Sequence, residues 1–255
     1  MTMRRWARAV VPLLALVLVA AVSLATVGRD VSNDAERMNP ASDRSITVMP
    51  MGDSITGSTG CWRALLWAKL RGTGHKNVDF TGNGIGPECD SIFDDDAVAY
   101  SGTRVVDMKP DSTFLKTLRT TGKSARIALM HLGSNDIRDD KSIEEILDGY
   151  TTIAGLLRQA NPDIVILVAQ LIPITTSPMD KDCPQCPGKV EELNEAIPGW
   201  AKDMDRKSSP ITVVDQHDGF DPGDDTYDGL HPDDSGGRKM ADKWFEAIDE
   251  VVGDR

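Results

Sequence analysis

The stretch "DIVILVAQLI", residues 163–172, is apolar on both faces from Ile164 to Ala169. A strand with one wet face alternates polar and apolar residues, so an unbroken run reads as a central strand of a parallel sheet, covered on both sides. The segment before it, "KSIEEILDGYTTIAGLLRQANP", places Ile143, Ile146, Leu147, Tyr150, Ile153, Ala154 and Leu157 on one helical stripe. Ser142 and Glu145 form a capping box at its start, and Asn161-Pro162 stops it. A second apolar run, "ARIALMHLG" at 125–133, precedes that helix, which makes a strand–helix–strand unit. Outward from this unit the pattern repeats. Strands are expected near 46–50, at "NVDFTG" (77–82) and at "ITVVDQ" (211–216), with helices near 60–71, 188–207 and 235–252. A long Gly- and Asp-rich loop runs through Ser101, followed by a helical region broken at Pro110. The last helix stripes Met240, Trp244, Phe245, Ile248 and Val252, and its aromatics read as core. Five strands alternating with helices predict an α/β fold, a five-stranded parallel sheet with helices on both faces.

A chain of 255 residues suits one large domain, expected over 45–255. The first eight residues hold three arginines, and Ala9 to Val27 carry no charge, so 1–27 reads as an export segment: a signal peptide cleaved after Ala25, or an anchor if retained. Residues 28–44 are polar without an apolar period and read as a linker. The formal charge is −12, and about −15 without the leader arginines, a balance that repels phosphate backbones and excludes nucleic acid as a partner. A membrane is a partner only if the leader is uncleaved; a secreted monomer is expected. Cys61, Cys89, Cys183 and Cys186 form an even set in an exported chain, which favours disulfides. Cys183 and Cys186, in "CPQCP", are near enough to pair with each other, leaving Cys61 for Cys89; zinc is disfavoured because no second Cys or His pair sits at ligand spacing nearby.

In such sheets ligands bind beyond the carboxyl ends of the strands. The loops there carry "GDSITG" after the first strand, "AYSGTR" closing the long loop, "HLGSND" after the third strand and "YDGLHPDD" before the last helix. Ser54 sits on a strand-to-helix turn, where a serine either caps the helix or projects its hydroxyl above the sheet. A serine hydroxyl needs a base within hydrogen-bond reach, and that base needs an orienting group. Asp228 and His231, three apart in a turn, supply both types. The main-chain N–H groups of Ser54 and Gly102 and the side-chain amide of Asn135 are candidate donors to an oxyanion. Gly52 and Gly57 read as room for a substrate carbonyl to approach Ser54.

These four blocks, "GDS", the glycine at Gly102, "GSND" and "DGLH", resemble those of the SGNH (GDSL) hydrolase superfamily. The stretches "GCWRALLWAKL", "MHLGSNDIR", "ILVAQLIPI", "CPQC", "LNEAIPGWA" and "SPITVVDQHDGFDPGDDTYDGLHPDDSGGRKMADKWF" resemble the family-3 carbohydrate esterases, and the likeness covers Ser45 to Ile248. It implies a flavodoxin-like three-layer α/β/α sandwich and a serine esterase with Ser54, Asp228 and His231 as triad and Ser54, Gly102 and Asn135 as oxyanion hole. The implied substrate is acetylated plant polysaccharide such as xylan. At block two the chain departs from the pattern, with Tyr100 where relatives carry a histidine.

Other residues have plainer readings. Asp53 ties the turn through its carboxylate, and Asp136 fixes the loop after Asn135. His75 and His217 lie in loops, the latter bordering the site, and His131 is a packed, satisfied supporter at a strand end. No cofactor is expected. A structural calcium among Asp94, Asp95 and Asp96 or Asp221, Asp224 and Asp225 is the alternative, although the spacing does not fit an EF-hand. Rival functions are a lipase or other small-ester hydrolase, a non-catalytic carbohydrate-binding module, and a nucleotide-binding unit. The last is disfavoured because "GDSITGSTG" and "GNGIGP" match neither GxGxxG nor the lysine-bearing phosphate loop.

Overall fold

The computed structural model of the chain describes residues 45–57, 60–75, 77–83, 86, 89, 92–177 and 182–253. The expected leader and linker, 1–44, lie outside the described residues.

Strands β1 (Ile46–Gly52), β2 (Val78–Phe80), β3 (Val98–Ala99), β4 (Ile127–His131), β5 (Val165–Gln170) and β6 (Ile211–Asp215) form one parallel sheet. The order is β2-β1-β4-β5-β6, with β3 pairing β1 beyond the end of β2. The five expected strands make up this path. β3, only two residues long, was hidden in the long loop because so short a segment has no period of its own. β4 and β5 lie in the middle with their apolar residues buried, whereas β6, at one edge, buries only Val214 fully.

A proline in a strand paired on both sides removes a ladder donor, yet Pro50 lies within β1. The pairing explains it. Carbonyls of Val48 and Gly52 face the β2/β3 side, accepting from Thr81 and Tyr100, while that of Thr47 faces β4 and accepts from Arg126. By alternation Pro50 faces the β2/β3 side. There β2 stops at the partner of Val48 and β3 starts at the partner of Met51, so the missing N–H falls in the gap between them.

Helices α1 (Ser54–Gly57), α2 (Trp62–Gly72), α3 (Thr113–Thr121), α4 (Ser134–Arg138), α5 (Ile143–Ala160), α6 (Cys186–Met204) and α7 (Asp234–Gly253) complete the fold. α2 packs on α7, with Trp62 stacked on Trp244 at 6.2 Å, and α3, α5 and α6 pack in succession. The two groups flank the sheet. α5 starts with the capping box of Ser142 and Glu145, and α6 ends at Met204 rather than 207, where Asp205 turns extended. Cys61 pairs with Cys89 (Cα–Cα 5.9 Å) and Cys183 with Cys186 (5.3 Å). No described helix is long and apolar enough to cross a membrane.

With β3 set aside, the strand order is that of the flavodoxin-like sheet, whose chain reverses direction between the first strand and its inner neighbour. Here that switch point lies between β1 and β4. It brings the turn after Gly52 beside the turn after His131, which are register partners.

Candidate active site

The turn after β1 is shaped by side-chain capping. Asp53, fully buried, accepts the N–H of Ile55 on Oδ1 at 2.9 Å, satisfying a first-turn donor of α1. The cap is therefore Asp53, and the hydroxyl of Ser54 is left to make a 2.9 Å hydrogen bond with Nε2 of His231. Gly52 and Gly57 do not make room for a ligand, as the sequence suggested. A Cβ on Gly52 would overlap the Thr56 hydroxyl and lie 2.6 Å from the carbonyl oxygen of His131, and one on Gly57 would lie 3.1 Å from the Cβ of Ala99 and 3.3 Å from its carbonyl oxygen. Gly52 is required by the close approach of neighbouring chain within the protein, and Gly57 is closely bounded by Ala99.

His231 and Asp228 come from the turn before α7. The Asp228 carboxylate accepts three N–H groups: Nδ1 of His231 at 2.7 Å on Oδ2, and the main-chain N–H groups of His231 (2.7 Å) and Leu230 (3.0 Å) on Oδ1. Burial pushes this carboxyl upward, but the bonds from His231 and Leu230 outweigh it and hold it below its ordinary value. Asp228 is thus a fixed anion that sets the imidazole with Nδ1–H toward itself and Nε2 toward Ser54. The turn is tight because Gly229, at φ +80°, packs where any Cβ would overlap the Thr175 hydroxyl. Its carbonyl accepts from Thr175 N–H at 3.0 Å.

Asn135 stands in the first turn of α4, after the left-handed Gly133. Its Nδ2 donates to Asp53 Oδ2 and to the carbonyl of Thr103, both at 3.2 Å. The same Asp53 oxygen accepts from the Ser134 hydroxyl. Asp53 therefore joins the Ser54 turn to the Asn135 turn, a link that adjacency to Ser54 alone did not reveal. Gly102 lies exposed at φ +74° in the turn after β3, where Tyr100 N–H donates to the Gly52 carbonyl. That turn is braced by Tyr100, whose hydroxyl bonds Asn83 (2.8 Å) and Thr117 (2.9 Å) and whose ring packs edge-on to Phe114. It is anchored further along by Asp136, buried, which accepts the N–H groups of Val105 (3.0 Å) and Val106 (3.1 Å). Burial outweighs these bonds and pushes its carboxyl up to about 6.

His75 pairs with Asp249 at 2.9 Å and His217 with Glu191 at 3.2 Å. His131 is buried as expected, but neither ring nitrogen has a hydrogen-bond partner among the described residues. Burial holds its pKa below the ordinary value, against the nearby charge of Asp53, so it stays neutral. The acidic loops are tied internally. Asp94 accepts from Phe80 N–H, and buried Asp225 from Asp221 N–H, the Ser235 hydroxyl and the Lys239 ammonium. Among the described residues no three His, Cys, Asp or Glu side chains gather as a metal site.

Comparison with known proteins gives the family. The sequence model described as "GDSL-like Lipase/Acylhydrolase family" matches residues 51–239. A curated protein of Ruminococcus flavefaciens, named a multidomain esterase, is 28% identical over 246 residues. The match takes in 84% of this chain and 30% of that protein, so the chain spans under a third of its relative's length. Among solved structures, a carbohydrate esterase family 3 protein from Talaromyces cellulolyticus superposes with TM-score 0.72 at 27% identity, covering 82% of this chain and 99% of that one. An acetyl esterase, in a serine-to-alanine mutant with acetate ion, matches with the same figures: TM-score 0.72, 27% identity, 82% and 99% coverage.

Proposed function

The chain belongs to the GDSL-like lipase/acylhydrolase family, and from that premise we propose that it is an exported carbohydrate esterase that removes acetyl groups through a Ser54 acyl-enzyme. It is an esterase/acylhydrolase of that family. The observation that carries the catalytic reading is the relay of 2.9 Å from Ser54 Oγ to His231 Nε2 and 2.7 Å from Nδ1 to Asp228.

The chemistry follows from those contacts. Ser54 Oγ attacks the acyl carbon while its proton passes to His231 Nε2, and the resulting imidazolium is stabilised by the Asp228 anion. The negative charge moves to the former carbonyl oxygen, which the N–H groups of Ser54 and Gly102 and the amide of Asn135 receive. The Asn135 hydrogen on Asp53 is charge-assisted and holds the amide in place, which leaves the one now on the Thr103 carbonyl to be shared with the oxyanion. The tetrahedral centre collapses, the C–O bond to the alcohol breaks, and His231 returns the proton to the leaving oxygen. Water repeats the sequence on the acyl-enzyme, giving the free acid and Ser54.

The short acyl group and the sugar side are supported by the two structural relatives at 27% identity, one named a family 3 carbohydrate esterase and the other an acetyl esterase. Export is supported by the charge-free segment Ala9 to Val27 and the two cysteine pairs. A panel of acetylated xylan, short-chain and long-chain esters tests the substrate; preference for long chains overturns it in favour of a lipase. Failure of a fluorophosphonate probe to label Ser54 in folded protein overturns the acyl-enzyme and favours a binding module.

A further inference from the structure

We infer that Tyr227 is the platform on which the alcohol half of the ester, a pyranose ring, seats during hydrolysis, an inference that rests on the carbohydrate reading above. Tyr227 immediately precedes Asp228 and is 61% exposed, one of three large hydrophobic side chains that stand so among the described residues. Its ring is an exposed aromatic surface set beside a buried imidazole.

Its position is fixed by the main chain. Tyr227 N–H donates to the carbonyl of His231 at 3.2 Å, and Thr226 bridges Pro232 on the opposite arm of the turn. The phenol ring consequently lies nearly parallel to the His231 imidazole, 14° between planes and 5.8 Å between centroids. That placement bears on one half of the substrate. His231 must hand its proton to the leaving oxygen, so that oxygen comes within about 3 Å of Nε2 in the transition state. A sugar ring one or two bonds from this oxygen then reaches the flanking aromatic surface. A pyranose offers axial C–H groups of slight positive charge on its face, the match for the negative face of an aromatic ring. The acyl half points the other way, toward the oxyanion donors. Tyr227 therefore discriminates alcohols and not acids.

The competing role is support of the imidazole itself, since an aromatic face also stabilises the imidazolium by a cation–π contact. That support would act on every ester alike. The test is kcat and KM of the full chain and of Tyr227→Ala, Tyr227→Phe and Tyr227→Trp on a mono-acetylated methyl xyloside and on ethyl acetate, whose alcohol cannot stack. The expected result is a preference for the sugar ester in the parent protein. In Tyr227→Ala the sugar-to-ethyl ratio of kcat/KM falls about ten-fold, mainly through KM, and Phe and Trp restore most of it. Equal losses on both esters in Tyr227→Ala, or an unchanged ratio, overturn the platform while leaving the carbohydrate reading standing. A parent protein with no preference for the sugar ester overturns the carbohydrate reading and the platform with it.

Discussion

Replacing Asp53 by Asn separates the buried link between the two turns from the proposed triad itself. The carboxylate accepts from Ile55 N–H, from the Ser134 hydroxyl and from Asn135 Nδ2. An asparagine keeps an oxygen for Ile55, and the Ser134 hydroxyl can rotate to accept, but its own NH2 then faces the NH2 of Asn135. One charge-assisted bond becomes a donor–donor contact, a loss of about 1.5–3 kcal/mol of stability in a buried site. The same contact swings the Asn135 amide off its bearing. Since an oxyanion donor is worth about 10²–10³ in kcat, the misdirected amide should lose all but about a factor of ten of that, about 10- to 100-fold overall. The assay is a double-mutant cycle: kcat on p-nitrophenyl acetate and urea midpoints for Asp53→Asn, Asn135→Ala and the pair. If Asp53 acts by holding Asn135, Asp53→Asn costs little further rate in the Asn135→Ala background, where the contact is gone. A single variant within two-fold of the parent, or losses that multiply in full, would refute the reasoning.

Ser54→Ala is expected to lower kcat by about four to six orders of magnitude, and Asp228→Asn by about four, because the amide cannot hold His231 with Nδ1–H toward it; single-turnover kinetics with p-nitrophenyl acetate check both. Asp136 gives a pH signature. Its folded carboxyl, at about 6, binds a proton more tightly than the ordinary 3.8, so its contribution to stability is full below pH 4 and is lost as pH rises to about 6, some 3 kcal/mol in all. Asp136→Asn removes that slope, and a parent-minus-variant stability difference that stays level from pH 4 to 6 would contradict the assignment. Paired Ser replacement of Cys61 and Cys89, 28 apart in sequence, should cost about 3–4 kcal/mol by loop entropy, read from urea unfolding. Gly229→Ala should raise strain in the Asp228–His231 turn and lower kcat and stability together, measured by the same two assays.

Much of the molecule was legible because its signals are local. Apolar runs too long to alternate could only be buried strands, and Ser142 with Glu145 marked the start of α5 to the residue. The four polar blocks stood at strand ends because a parallel sheet leaves its carboxyl ends open, and the structure brings Ser54, His231 and Asp228 into one hydrogen-bonded line there. What escaped was whatever depends on a partner distant in sequence. β3 exists only because β1 offers an edge beyond β2, and Pro50 is tolerated only because those two partners leave a gap. The glycines beside Ser54 suggested space for a substrate, but their constraint comes from His131, Thr56 and Ala99. His131 was expected to be satisfied as well as buried, and only the packing reveals that its ring nitrogens have no hydrogen-bond partner among the described residues.

By itself, then, the sequence determined five of the six strands, the longer helices, their order along the chain and the residue types capable of the chemistry, since periodicity and capping act over a few residues. The tertiary structure decided which of those residues meet. Strand order placed the turn after β1 beside the turn after β4, so Asp53, a local helix cap, also became the acceptor for an amide 82 residues away. A contact of that separation is set by sheet topology, and no local pattern carries it.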